Sequence, residues 1–173
     1  MKSIKKFEEF IKKGIVKKQS IDTSRAKYLI EEAKQNYEYL PKLIEKMGVD
    51  DLNANDYVKR CYDILMELIR AKMLLKGFNA SGFKAHEAEV SYLREIGFGE
   101  KEILFADQIR YFRNGMLYYG TRIDREYAEK VIKFTKDIYE RLTKKTDLNK
   151  IFGSLKTKMK GQEFKDSVKE GWE

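Results

Sequence analysis

A chain of 173 residues with 36 Lys and Arg against 28 Asp and Glu carries a net charge of +8, and 42% of its residues are hydrophobic. That length buries roughly two-thirds of the surface exposed by the unfolded chain, so a core can form without a metal or disulfide staple. The mean hydropathy is −0.63, and no apolar run exceeds four residues (Ile103 to Ala106, Met116 to Tyr119), which excludes a membrane-spanning helix.

The charge is uneven. Residues 1–20 hold seven lysines against Glu8 and Glu9, whereas residues 21–147 are nearly neutral. A basic end attracts phosphate backbones through counterion release, and equally serves as a solubilising, frayed terminus. The one cysteine, Cys61, has no intramolecular disulfide partner, and no apolar signal core follows the lysine-rich start. A cytoplasmic, reducing setting is the expectation.

Apolar residues recur at three- and four-residue steps, with almost no alternation, so the expected fold class is all-α. Residues 1–21 read as a lysine-rich amphipathic N-terminal extension. Its helix, Ser3 to Lys13, places Phe7, Phe10 and Ile11 on one stripe and stops at Gly14. Residues 22–147 read as the bundle. Asp22 caps a helix carrying Ala26, Leu29, Ile30, Ala33, Tyr37 and Leu40, which Pro41 should kink or divide and Gly48 ends. Asn53 or Asn55 caps the next, which runs to Gly77 with Tyr57, Cys61, Ile64, Leu65, Leu68, Ala71, Leu74 and Leu75 inward.

Phe78 to Gly82 reads as a loop. A shorter helix covers about Lys84 to Ile96, and Glu100 opens another that ends at Gly120. Asp124 caps the last, to about Lys145, with Tyr127, Val131, Ile132, Phe134, Ile138 and Leu142 inward. Short connections predict an antiparallel up-and-down bundle of four to five main helices with one short extra helix. Residues 148–173 read as a basic polar C-terminal tail.

Several chemistries find no residues here. No glycine-rich phosphate cradle and no CxxC occur, and His86 and Cys61 lack the carboxylate spacing of a metal site. No cofactor or metal is expected. Cys61 lies on an apolar stripe and reads as packing.

The informative window is Asp107 to Gly120, which holds Arg110, Arg113, Asn114, Gly115, Tyr118 and Tyr119. Asn114 and Tyr118 face the same way, one turn apart. Gly115 stands where alanine is favoured by about 1 kcal/mol, which suggests close approach of a neighbouring helix or a ligand. At about 100° per residue, Arg113 and Tyr118 point roughly 140° apart, so they meet only through helix distortion at Gly115 or across a dimer. Arg110 and Arg113 also read as ion-pairing residues, to Glu67 or Asp107. Glu67 and Arg70 read either as the border of a cleft or as a surface pair.

The helix Tyr57 to Gly77, the loop into Ala85–His86–Glu87 and the Arg113–Asn114 pair together resemble a HEPN domain, a small helical bundle of higher eukaryotes and prokaryotes. The similarity covers about Asp22 to Lys145. In that family, an arginine followed by four to six residues and a histidine forms a metal-independent ribonuclease site between the two protomers of a dimer. Many members are toxins paired with a minimal nucleotidyltransferase antitoxin, and others have lost catalysis and bind nucleotides or RNA.

Arg113 and Asn114 match that motif, but no allowed spacing yields a histidine, and the motif position falls on Tyr118. With a reference pKa of about 10, a tyrosine is roughly 0.1% phenolate at neutral pH, so the exchange removes about three orders of magnitude of competent base. His86 is the other candidate base.

The resemblance therefore implies a homodimer that binds nucleotide or RNA and is catalytically degenerate. Arg110 and Arg113 would hold phosphate, Asn114 would hydrogen-bond, and Tyr118 or Tyr119 would stack. A ribonuclease toxin and a structural or adaptor bundle are the alternatives.

Overall fold

The computed structural model describes residues 4–144. A compact unit ends at Leu142, and the unit beginning at Thr143 lies almost wholly outside the described residues, as does the 148–173 tail. The chain is an all-α bundle with one small ribbon. The order is α1 (Phe7–Lys12), β1 (Val16–Lys18), α2 (Thr23–Met47), α3 (Ala54–Leu74), β2 (Phe78–Ala80), α4 (Ala85–Ser91), a 3-10 turn (Tyr92–Arg94), α5 (Glu100–Tyr119) and α6 (Arg125–Lys144).

Caps decide most boundaries. The Asp22 carboxylate accepts from the Arg25 amide, and Asp124 accepts from Tyr127, each satisfying a free N–H of a helix's first turn. The Asn53 side chain makes no such cap bond and accepts from the Asp50 amide instead. Gly48, Gly97 and Gly120 adopt positive φ at the turns that follow. Pro41 does not divide α2, which runs unbroken to Met47. The proline removes a single backbone donor, and burial of Leu40 and stacking of Tyr37 on Tyr139 (centroids 3.6 Å apart) hold the turn that leads into it.

Helix α3 is the centre. The sequence predicts one apolar face, yet Val58, Tyr62, Met66, Ile69 and Met73 are also buried. A helix whose apolar face is this broad belongs where several neighbours pack on it, and Asp56 and Asp63 mark the side left exposed. Consecutive helices run antiparallel: the Asp22 amide reaches the Leu74 carbonyl, while Phe105 meets Phe134 and Phe112 meets Tyr127 across α5 and α6. Glu102 closes the other end of that pair on Arg141. Cys61 is buried with its thiol pushed up to about 11 by desolvation, which fits packing rather than chemistry.

Two further features differ from the sequence reading. Residues 78–80, expected as loop, form an antiparallel ribbon with residues 16–18 in the register Val16–Ala80, Lys17–Asn79 and Lys18–Phe78. Alternation over three residues is too short to register as a strand. Gly77 makes the pairing possible: a Cβ there would stand 2.7 Å from the Gln19 carbonyl oxygen. The start of the chain also joins the core, because Ile4, Phe7, Phe10 and Val16 are all buried. Phe7 packs edge-on against Phe78 and tilted on Tyr92. The lysines of this segment are the outer side of a packed element.

The helix expected over Lys84 to Ile96 is shorter, becoming a 3-10 turn at Tyr92. Among the described residues, no helix is long and apolar enough to cross a membrane.

Candidate functional site

The end of α5 is fixed to the start of α3 by one side chain. The Asn55 amide donates to the Thr121 carbonyl at 3.1 Å and its oxygen accepts from the Ile123 amide at 2.9 Å. The returning chain passes so close that a Cβ on Gly115 would lie 2.8 Å from the Thr121 hydroxyl. The close approach expected at Gly115 is therefore made by the chain's own reversal, and α5 remains helical through it.

An open cleft of about 710 Å³ lies between the second half of α5 and the start of α4. His86, Arg110, Arg113, Asn114 and Tyr118 all line it. Arg113 and Tyr118 thus border one space within a single protomer. Two residues named from sequence lie elsewhere. Tyr119 is 86% exposed beyond the cleft. Glu67 faces Asn36 of α2, and its Oε2 is buried with no hydrogen-bond partner among the described residues. Desolvation, then Asp63 and Glu32, push the Glu67 carboxyl up to about 7. Arg70, its partner under the surface-pair alternative, turns the other way.

Arg70 reaches α4. Its Nε and Nη2 donate to the two oxygens of Glu89 at 2.8 and 3.1 Å, and Glu89 is buried. The same Nη2 lies 3.4 Å from His86 Nε2, while His86 Nδ1 lies 2.5 Å from the Tyr62 hydroxyl. A guanidinium only donates, so Nε2 is the acceptor and Nδ1 carries the proton toward Tyr62. Burial holds the His86 pKa below the ordinary value, with Glu89 opposing and Arg70, Arg113 and Arg110 adding to the fall. The imidazole is neutral at pH 7, but its free lone pair is aimed at a cation. Tyr62 stays protonated, its pKa pushed up to about 12 mainly by burial.

The arginines of α5 differ from one another. Arg110 Nε donates to buried Asp107 at 2.6 Å, which confirms the expected pairing. Arg113 lies over the Tyr62 ring, 5.3 Å from its centroid, and meets no carboxylate within ion-pair distance among the described residues. Its ring contact orients the guanidinium while leaving its five donors unspent.

A second cleft, of about 340 Å³, lies beyond His86 and is bordered by Arg25, Arg70, Asn79 and Glu89. It shares Gly82, Ala85 and His86 with the first, so the imidazole stands in the wall between them. Among the described residues no group of three His, Cys, Asp or Glu side chains comes together as a metal site. No family model, no curated protein and no solved structure matches the chain.

Sequence reasoning missed Tyr62, Glu89 and the Phe83–Lys84 lip of the cleft. Glu89 follows His86 at three residues on a helix, a spacing that places both on one face. Tyr62 lies off the stripe drawn for α3 and shows itself only once α4 and α5 cover that side.

Proposed function

We propose that this protein is a HEPN-like, nucleotide- or RNA-binding bundle that acts as a homodimer and is catalytically degenerate. The observation that carries the reading is Arg113: a half-buried guanidinium, held by a tyrosine face and making no ion pair among the described residues, in a cleft with Asn114 and Tyr118. Such a cation can donate to an anion entering the cleft, and phosphate is the anion that a planar fork with a neighbouring stacking ring recognises. A minimal nucleotidyltransferase is the protein partner to look for.

Binding of fluorescein-labelled single-stranded RNA, followed by anisotropy, tests this. Wild-type affinity falls with added salt, and Arg113→Glu abolishes it. No detectable binding, or a flat salt response, would remove the proposal. Sedimentation velocity checks the dimer, whose absence would confine the site to one protomer.

A metal-independent ribonuclease is the second reading, and His86 favours it, because a neutral imidazole shares the cleft with Arg113. Its lone pair faces Arg70, however, so it is poorly placed to accept a substrate proton. Cleavage of structured RNA in EDTA, lost in Arg113→Ala and His86→Ala, would establish this activity.

A further inference from the structure

The lip of the α4–α5 cleft carries a side chain that neither folding nor packing explains. Phe83 is 87% exposed and lines the cleft together with Arg113, Asn114 and Tyr118. Its backbone is set by unusual neighbours. Gly82 has φ +78°, and Lys84, at φ 68°, is the one non-glycine residue with positive φ among the described residues. A left-handed lysine is unfavourable and persists where surrounding structure requires it. The Lys84 ammonium stands 5.6 Å from the Phe83 ring centroid and 3.8 Å from Glu87. The loop therefore presents an apolar ring to water beside a cation, next to a second exposed ring, Tyr118 at 75%.

We infer that Phe83 is a base-stacking residue, and that the occupant of the cleft is single-stranded nucleic acid with one base on Phe83 and a neighbouring phosphate on Arg113. This rests on the proposed binding function. An exposed ring offers a π-face that every base can use, and an adjacent unpaired guanidinium takes the backbone charge. Tyr118, lining the same cleft, supplies the surface for a second base. A lone phosphate or short anion would engage Arg113 but gain nothing from either ring.

The test measures affinities of the full chain for labelled oligoadenosine and oligouridine, for the DNA equivalents, and for an abasic oligomer. Phe83→Ala weakens binding of base-bearing strands about 5- to 100-fold, most for adenine, and leaves the salt slope and the abasic oligomer unchanged. Phe83→Trp restores affinity. In a Trp172→Phe background, which removes the only natural tryptophan, its fluorescence is quenched as oligoadenosine is added. Tighter binding of RNA than DNA would assign the 2′-hydroxyl a role, and equal binding would assign recognition to base and phosphate alone; both support stacking. If Phe83→Ala binds like wild type while Arg113→Glu does not, the stacking inference fails and the phosphate site stands. If wild type binds no strand, both fail.

Discussion

Arg70 and Arg113 stand on opposite sides of one histidine and have opposite circumstances. Arg70 is matched by both oxygens of a buried carboxylate, with its remaining contact on His86, so its charge holds α3 to α4. Arg113 has the Tyr62 ring beneath it and, among the described residues, no carboxylate within ion-pair distance, although its charge acts on the Asp63 carboxyl from further away. The first is a fold element, because removing either partner would strand a charge away from water. The second is available, because its desolvation has been offset by a ring contact that leaves every donor free. Two arginines beside the same histidine cannot be ranked by identity; the partner decides.

Breaking the matched side gives the largest expected effect. Glu89→Ala leaves Arg70 half-buried and uncompensated, and unfolding by urea should show a loss of about 3 kcal/mol. Arg113→Ala in the same assay should change stability by no more than about 0.5 kcal/mol. A large loss from the second variant would make Arg113 a structural cation and erase the distinction.

A next change converts one type into the other. Asp107→Asn frees Arg110, which already lines the cleft beside Arg113. Stability should fall by about 1–2 kcal/mol, while affinity for single-stranded RNA at low salt rises. Loss of both stability and binding would show that Arg110 serves only to hold α5.

Glu67 provides an acid counterpart outside either cleft. Its carboxyl is raised from 4.5 to about 7 in the folded chain, so the folded state binds the extra proton across that window. Stability is greatest below about pH 4.5 for this group and is lost as pH rises through 7. Glu67→Gln should remove this dependence and stabilise the protein at pH 8 by an amount on the order of 1 kcal/mol, after allowance for partial exposure. Thermal unfolding at pH 5 and 8 measures it; an unchanged pH profile would place Glu67 in contact with solvent.

The smallest effect concerns the end of α5. Gly115→Ala should destabilise by up to about 1 kcal/mol, because its Cβ meets the Thr121 hydroxyl at 2.8 Å. Adding Thr121→Ala should reverse the sign and expose the helix preference for alanine. Additive effects of the two changes would separate Gly115 from the chain reversal.

What was legible in the sequence follows from range. Three- and four-residue spacing, Asp22 and Asp124 as caps, and the stops at Gly48 and Gly120 are local signals, and the helices follow them. Arg110, Arg113, Asn114 and Tyr118 share one helix, so their proximity could be anticipated. The pairing of Val16–Lys18 with Phe78–Ala80 joins residues some sixty apart through backbone bonds that no side-chain pattern announces. Arg70 with Glu89 is likewise non-local, and it removes the surface-pair alternative for Glu67 and Arg70, while Arg70 does border a cleft. Phe83 left no periodic trace because a loop residue has no face. Tyr62 was hidden for the opposite reason, since it lies on a second side of α3 that His86 of α4 and Arg113 of α5 cover.

The most direct measurement is the salt dependence of RNA affinity in wild type and Arg113→Ala. If the unpaired guanidinium neutralises a phosphate, the slope of log affinity against log salt becomes shallower by about 0.7 in the variant, with folding unchanged. An identical slope in the two proteins, at equal stability, would contradict the assignment of Arg113 as the phosphate contact.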